Sequence, residues 1–454
     1  MAAVPKQKIT QTKPDCKYGS KCYRKNTQHL QNYSHPRGND EEESSEDPPT
    51  VRTRKGNKDV KGNEKKTIRD YFGKTHDLSE SDEDDDGPKT KKAKTDSSSK
   101  DVASSSSEVV ETNSSKEAQE NDEDVEEEDD EAPASPEDIK ESIKAKFLVE
   151  MPEDFFLFWE FCKCLNPSKP QDALKKSLSL RLVGPFDVVA GRHKGVTRNK
   201  RGRRPNFLLH YRYYYDPPEF QTVIAADDDT KFHLGYYRDD PQETPVFVAS
   251  NSPGQPPRDK IHQCGENLFA AVHIYASKQV KTAAANKKKD IQTLIKSIEE
   301  AAAKHKLPLE ASTKQMKSRQ KKVVCPTFHS AGIVVPVDDN EVGYRPVPET
   351  IGDLRAMFRK ISESKGESER DKNMEDLHEL ITLVQFANDE CDYGEGLELG
   401  LDLFSFGGKI FHSQIETLLP LAYQLLKRNE FSKIIEAHLK RRPGVTECVD
   451  ELLS

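Results

Sequence analysis

Phe207-Leu-Leu-His-Tyr-Arg-Tyr-Tyr-Tyr215, Thr222-Val-Ile-Ala225, Phe232-His-Leu-Gly-Tyr-Tyr237 and Val246-Phe-Val-Ala249 are four aromatic or β-branched runs, separated by Pro, Asp and Gly. Runs of this kind bounded by turn residues read as strands, and an antiparallel meander is their simplest pairing. Helical patterns lie on either side. Ser135-Pro-Glu-Asp predicts a helix start with Ser135 as N-cap and Pro136 in the first turn, and Pro152-Glu-Asp-Phe-Phe starts a second. Asn267–Val280 and Asp290–Lys304 read as helices, Val323–Phe328 and Ala331–Val337 as two further strands, and the pattern from Thr350 to the end is helical. Strands and helices are segregated rather than alternating, which favours an α+β fold over a doubly wound one. The expected architecture is an antiparallel sheet between a helical amino-terminal portion and a helical carboxy-terminal portion.

Not all 454 residues belong to that fold. At roughly 150 residues per domain the length suggests three domains. Hydrophobic residues make up only 33%, or about 38% with glycine, against a usual 45–50%. The deficit is concentrated in residues 36–135, which carry almost no aromatic or branched apolar side chains. Three regions follow: a compact block at 13–36, a polar arm at 37–134, and one folded region at 135–454, long enough to bury a sizeable core. The arm is rich in Ser, Asp, Glu and Lys, with acid runs at Asp82–Asp86 and Asp122–Glu131, and cannot offset the entropy of ordering its backbone. It is expected to be disordered. The net charge of −9 comes largely from it and excludes a uniformly basic nucleic-acid coat.

No run approaches the ~18 apolar residues that span a bilayer, and Met1-Ala-Ala-Val-Pro-Lys has no apolar core of a signal peptide. The eight cysteines are too sparse and irregular for a disulfide framework, which points to a reducing compartment. The chain reads as soluble and intracellular, with no membrane partner.

The amino-terminal block holds Cys16-x5-Cys22-x6-His29-x5-His35. Two thiolates and two imidazoles this close can close a tetrahedral zinc site, and a block too small for its own core would take its folding energy from the metal. The alternative is chance clustering in a polar arm. The string Lys13-Pro-Asp-Cys-Lys-Tyr-Gly-Ser-Lys-Cys-Tyr-Arg-Lys-Asn-Thr-Gln-His29, closed by His35-Pro36, resembles the poly(ADP-ribose)-binding zinc finger. The resemblance implies one zinc on Cys16, Cys22, His29 and His35, and polymer binding by Tyr18, Tyr23 and Arg24. The chemistry suits those roles: the tyrosine faces can stack on adenine, and the guanidinium fork can hold phosphate.

Two short signals lie in the arm. Pro88-Lys-Thr-Lys-Lys-Ala-Lys94 reads as a nuclear localisation signal, the alternative being a solvated charge block. Lys65-Lys-Thr-Ile-Arg-Asp-Tyr-Phe72 resembles a degenerate motif for the replication sliding clamp, with Lys65 where the pattern has Gln; a chance match is the alternative.

The chemistry-bearing stretch of the folded region is Leu377–Cys391. At about 100° per residue, Leu377, Ile381, Val384, Ala387 and Cys391 form one apolar face. Phe386 falls on the opposite side, Glu390 nearly on the same line one turn later, and Asp389 on its flank. An aromatic beside two carboxylates outside the core face suggests an exposed site, extended by Asp392, Glu395, Glu398 and Asp402. Three other readings stand beside it: a solvated helix end, although negative charge is unfavourable at a helix C-terminus; a divalent-metal site, which lacks a second ligand set; and a second packing layer over Phe386.

Longer strings carry a family resemblance. Val384-Gln-Phe-Ala-Asn-Asp-Glu-Cys-Asp-Tyr-Gly394 with Leu397-Glu-Leu-Gly-Leu-Asp-Leu-Phe404 resembles the histone PARylation factors. So do Leu209-His-Tyr-Arg212 with Tyr215-Asp-Pro-Pro-Glu-Phe-Gln-Thr222, Val335-Pro-Val337 with Val342-Gly-Tyr-Arg345, and Leu419-Pro-Leu-Ala-Tyr-Gln-Leu-Leu-Lys-Arg428. The resemblance covers about residues 135–440. It implies a nuclear factor, at damaged chromatin, that inserts a carboxylate into the active site of a DNA-damage-activated poly(ADP-ribose) polymerase, so that the joint site modifies serine on histones. By that resemblance Glu390 is the base toward the serine hydroxyl, and Phe386 and Asp389 support the joint site and interface. Tyr344 and Arg345 are the pair that docks on the polymerase's carboxy-terminal end. NAD would be a substrate held by the polymerase, and the chain would be no enzyme on its own. Lys409 stands near a position where the family pattern has His, and the amino-terminal finger is not part of the family's common core. Two other functions remain open from the residues: a poly(ADP-ribose)-reading scaffold with no catalytic share, and a stand-alone hydrolase using Asp389 and Glu390. No nucleophile motif or phosphate-cradling glycine loop supports the hydrolase.

Overall fold

The computed structural model describes residues 133–453 together with Ser34. The Cys/His block, the basic cluster at Pro88–Lys94 and the clamp-like stretch at Lys65–Phe72 lie outside the described residues.

Helix α1 (Ile139–Phe147) opens on Asp138, whose carboxylate accepts the N–H of Lys140 at 2.8 Å and of Glu141 at 3.0 Å. The cap is three residues beyond the expected Ser135, because an aspartate one turn closer to the apolar run takes the orphan donors first. Helix α2 (Glu153–Leu165) starts after Pro152, as its sequence predicts, with Glu153 and Asp154 in the first turn. Asp154 is buried. Its carboxylate accepts the Tyr236 hydroxyl at 2.7 Å and the Leu268 N–H at 2.9 Å, tying α2 to the sheet and to a later helix. Short helices α3 (Lys175–Leu178) and α4 (Pro185–Val189) flank strand β1 (Leu180–Leu182).

The sheet is a five-stranded antiparallel meander, β1–β2–β3–β4–β5, with β2 at Phe220–Ala226, β3 at His233–Tyr237, β4 at Phe247–Asn251 and β5 at His262–Gln263. Phe220 pairs with Tyr237 and Tyr237 with Phe247; the register shifts at Thr222/Ile224. Every residue of β2, β3 and β4 is buried, so these central strands are covered on both faces. Alternate residues enter different cores, as the period of two requires. Tyr236 and Val248 join the main core, while Phe220, Tyr237 and Phe247 join a smaller cluster with Ile261 and Met316. Helix α5 (Leu268–Thr282) covers the main-core face, with Phe269 against Phe158 of α2 at 5.1 Å, and α6 (Ala285–His305) packs outside it.

Three expected strands are not strands. Residues 207–215 form successive turns, Leu209 N–H to Asn206 O, Arg212 N–H to Leu209 O and Asp216 N–H to Tyr213 O. The reason is the charge they bury. The Arg212 guanidinium donates to the carbonyls of Leu208, Pro217 and Phe220, and His210 Nε2 meets Asp187 Oδ2 at 2.9 Å. Turns aim these carbonyls at the guanidinium, which a ladder would have used. The stretches Val323–Phe328 and Ala331–Val337 share one isolated antiparallel bridge, Cys325 to Ile333. Where they adjoin, Thr327 (φ 53°), Ser330 (φ 69°) and Gly332 (φ 71°) take left-handed conformations that curl the chain instead of extending it.

After α7 (Lys314–Gln320), the carboxy-terminal portion comprises α8 (Ile351–Ser362), α9 (Glu367–Asp389), α10 (Tyr393–Phe406), α11 (His412–Leu425) and α12 (Asn429–Lys440). Helix ends at Lys440 rather than at the chain end. The tail turns back, and the Glu451 N–H donates to His210 Nδ1 at 3.1 Å. No helix among the described residues is long and apolar enough to cross a membrane.

Asp154 gives a test of the layer junction. Asp154→Ala leaves the Leu268 N–H and the Tyr236 hydroxyl buried without their acceptor and should cost about 2–5 kcal/mol in urea unfolding. Burial pushes the Asp154 carboxyl up to about 6. A raised carboxyl binds its proton more tightly when folded, so its contribution is greatest below about pH 4 and is lost as pH rises to about 6. Asp154→Asn should flatten that part of the stability–pH curve.

Candidate functional site

Helices α9 and α10 meet at a three-residue turn, Glu390-Cys391-Asp392. The Glu390 N–H still bonds the Phe386 and Ala387 carbonyls at 3.2 and 3.0 Å, Cys391 takes φ 66°, and the Asp392 N–H returns to the Ala387 carbonyl at 2.9 Å. On α9, Leu377, Leu380, Val384 and Ala387 are buried, Ile381 is half-buried and Phe386 stands 40% exposed. The apolar stripe thus shifts to include Leu380, and it ends before Cys391, which the turn carries into solvent. Asp389 is exposed on the last turn. Glu390 is not: its side chain is only 10% exposed.

What covers Glu390 is a strap, residues 343–347, laid across the start of α10. Gly343 donates its N–H to Asp392 Oδ1 at 3.0 Å, and its carbonyl accepts the Gly394 N–H at 2.9 Å. Tyr344 sends its hydroxyl to Glu398 Oε2 at 2.9 Å, and the Val347 N–H reaches the same oxygen at 3.3 Å. Arg345 is thereby aimed at the turn, where Nη2 bonds Asp392 Oδ2 at 2.8 Å and also bonds Glu390 Oε2. The guanidinium answers the objection to a carboxylate at a helix C-terminus. A cation placed there offsets both the side chain and the exposed carbonyls.

The acids that follow are not part of an exposed site. Glu395, Glu398 and Asp402 recur at one-turn spacing on one side of α10 and are all buried. Asp402 Oδ1 accepts the Phe328 N–H at 2.6 Å, so Glu398 and Asp402 hold the curled 325–347 segment. Burial pushes Glu395 up to about 8; Arg345 pulls it back, and Glu398, Asp392 and Glu390 push it further. Burial likewise raises Glu398, against the hydrogen bond from Tyr344, and raises Asp402 well above the ordinary range.

Of the sequence-predicted residues, Tyr344, Arg345 and Glu390 come together, with Phe386 and Asp389 on the neighbouring turn of α9. The Arg345–Glu390 bond spans 45 residues of chain and has no signature in composition or periodicity. Lys409 is exposed on a short 3-10 turn, Lys409–Phe411. Cys16, Cys22, His29, His35, Tyr18, Tyr23 and Arg24 lie outside the described residues. Among the described residues no group of three or more His, Cys, Asp or Glu is arranged to hold a metal ion.

The sequence of this region matches a known family. The family model for histone PARylation factor 1 matches residues 138–442, from the start of α1 to just beyond α12. The chain belongs to the histone PARylation factor family. A Bos taurus histone PARylation factor 1 is 49% identical over 318 residues, covering 70% of this chain and 90% of the relative. The Mus musculus protein is 48% identical over 316 residues, with 69% and 89% covered. The Danio rerio protein is 47% identical over 313 residues, with 67% and 86% covered. A second family model, the PBZ domain, a poly(ADP-ribose)-binding zinc finger, matches residues 13–38. This histone PARylation factor therefore carries a finger ahead of its folded region.

The strap depends on Gly343. At φ 131° a Cβ there would lie 2.0 Å from the Pro336 carbonyl oxygen. Gly343→Ala should cost roughly 1–3 kcal/mol, seen in thermal unfolding, and amide exchange should rise first at residues 342–347.

Proposed function

We propose that this chain is a nuclear accessory factor rather than an enzyme on its own. It binds a DNA-damage-activated poly(ADP-ribose) polymerase, completes its active site with Glu390, and so directs ADP-ribosylation to serine on histones. The observation that carries the reading is the braced carboxylate: Glu390 sits at a helix end beside the exposed ring of Phe386, gripped by Arg345. A serine hydroxyl is a weak nucleophile at neutral pH, and a carboxylate within hydrogen-bond reach removes its proton as the bond to the sugar forms. Such help is worth roughly 10²–10⁴-fold in rate. The polymerase binds NAD and supplies the ADP-ribosyl group: the bond from ribose to nicotinamide breaks as the serine oxygen bonds the sugar, nicotinamide leaves, and the serine proton passes to Glu390.

Arg345 has two parts in this reading. In the free chain its guanidinium occupies Glu390. On docking it turns its planar fork to the carboxylate at the polymerase's carboxy terminus, a bidentate match, and Glu390 is released to meet the serine. Tyr344, anchored on Glu398, keeps the strap in place. Phe386 offers the partner an apolar contact, and Asp389 adds to the joint site.

In a reconstitution with polymerase, NAD, DNA breaks and histone, Glu390→Gln should bind the polymerase nearly as wild type and lose serine modification by roughly 10²-fold or more. Arg345→Ala should instead weaken polymerase binding by roughly 10-fold, about 1.4 kcal/mol. Full serine transfer by Glu390→Gln at saturating concentration would reject the catalytic role and leave a poly(ADP-ribose)-reading scaffold, the reading that the PBZ match favours beside it.

The finger would retain the factor on polymer at damaged chromatin. Two thiolates and two imidazoles suit zinc: Cys16, Cys22, His29 and His35 would hold it, and Tyr18, Tyr23 and Arg24 would contact the polymer. The proposed organisation is a finger at 13–36, a linker at 37–134 and the folded factor at 135–454. Cys16→Ala should abolish zinc and polymer binding without changing affinity for the polymerase. Equal polymer binding in chelator would refute the zinc assignment.

A further inference from the structure

Between α4 and the turns that begin at Asn206 runs a strongly basic loop, Arg192-His-Lys-Gly-Val-Thr-Arg-Asn-Lys-Arg-Gly-Arg-Arg204. It has seven Lys or Arg and no acid. The loop is built rather than loose. Asn199 is buried and organises a tight turn: its N–H donates to the Arg203 carbonyl at 2.7 Å, and its side-chain oxygen accepts the N–H groups of Arg201 and Arg203 at 3.0 and 3.2 Å. The Asn199 amide also donates to Glu451 at 2.7 Å, and the Lys200 N–H to the Leu453 carbonyl at 2.7 Å, so the folded-back tail supports the turn from below. Arg192 at the root is spent on Asp187 and Asp450, at 2.7 and 2.9 Å. Lys200 and Arg201 on this turn, and Lys194 nearer the root, are exposed to solvent.

We propose that this loop is a contact for the phosphate backbone of duplex DNA. A fixed turn that displays several cations and no carboxylate neutralises closely spaced phosphates and gains affinity by releasing their counterions. Its composition also selects the form of nucleic acid. Single strands and RNA loops are recognised by stacking bases on aromatic side chains, and residues 192–204 contain none beyond the half-buried His193. The loop can grip backbone and cannot stack on unpaired bases. A neighbouring cavity of about 500 Å³ shows the contrast: Lys175, Arg181 and Lys231 there face Asp172, Asp227 and Asp450, and the charges cancel. On the loop, by contrast, Lys194, Lys200 and Arg201 are exposed in a stretch without an acid. This contact lies beyond the function proposed above and does not depend on Glu390, because it needs neither polymerase nor NAD.

The test is fluorescence anisotropy of a labelled blunt 30-base-pair duplex titrated with the full chain at several salt concentrations. The triple variant Lys194→Ala/Lys200→Ala/Arg201→Ala should bind at least roughly 10-fold more weakly at low salt. Its slope of log K against log salt should be smaller by about 2.7, the release of three counterions. Lys194→Arg/Lys200→Arg, which keeps the charge, should bind as wild type, and thermal unfolding should be unchanged in both. Unchanged affinity and slope in the triple alanine variant would overturn the proposal. Polyglutamate of equal charge competing as well as unlabelled duplex would also overturn it, assigning the loop to acidic proteins instead.

Discussion

Buried carboxylates that accept hydrogen bonds from distant parts of the chain are the constraint on which this structure rests. Asp154 joins α2 to the sheet and to α5. Asp187 receives Gln171, Arg192 and His210; burial alone would push its carboxyl up, but His210 and Arg192 hold it below the ordinary range. Asp216 gathers Thr222, His233 and the Tyr213 N–H, and Glu219 takes the Tyr423 hydroxyl, joining the turns before β2 to α11. Each would cost several kcal/mol if buried without partners. Each is tolerable only where its donors converge, which makes these junctions specify one arrangement of layers.

The same constraint builds the candidate site. Glu398 and Asp402 are buried on α10 and take their donors from a segment that has almost no regular structure of its own. That segment is therefore laid down in one path, and the path ends with Arg345 over the α9–α10 turn. An acid face that looks like a continuation of the site is in fact its support. Glu390 differs from Glu398 and Asp402 in that a guanidinium, that of Arg345 on the strap, bonds it.

Legibility in the sequence followed the length scale of the interaction. The runs at 222–225, 232–237 and 246–249 became β2, β3 and β4 because alternation and β-branching act within one strand. Residues 207–215 have the same composition and form turns, because Arg212 and His210 needed acceptors there. Phe386 stood outside the core as its position on the helix required. Glu390, on nearly the same line, is mostly covered, because residues 45 positions earlier pack over it. The acids from Asp392 to Asp402 read as exposed by charge alone and are buried; Asp392, Glu398 and Asp402 are held there by their donors.

By itself the sequence determined the α+β class, the order of the main helices and strands, and the likeness to histone PARylation factors. Those properties are set by local propensity, periodicity and short strings of residues. Only the tertiary structure decided that Arg345 lies on Glu390, that the acid side of α10 faces inward, and that the tail returns to support the basic loop at 192–204. Each of these brings together groups far apart in the chain, and burial selects the partner there, which neighbours in sequence cannot do.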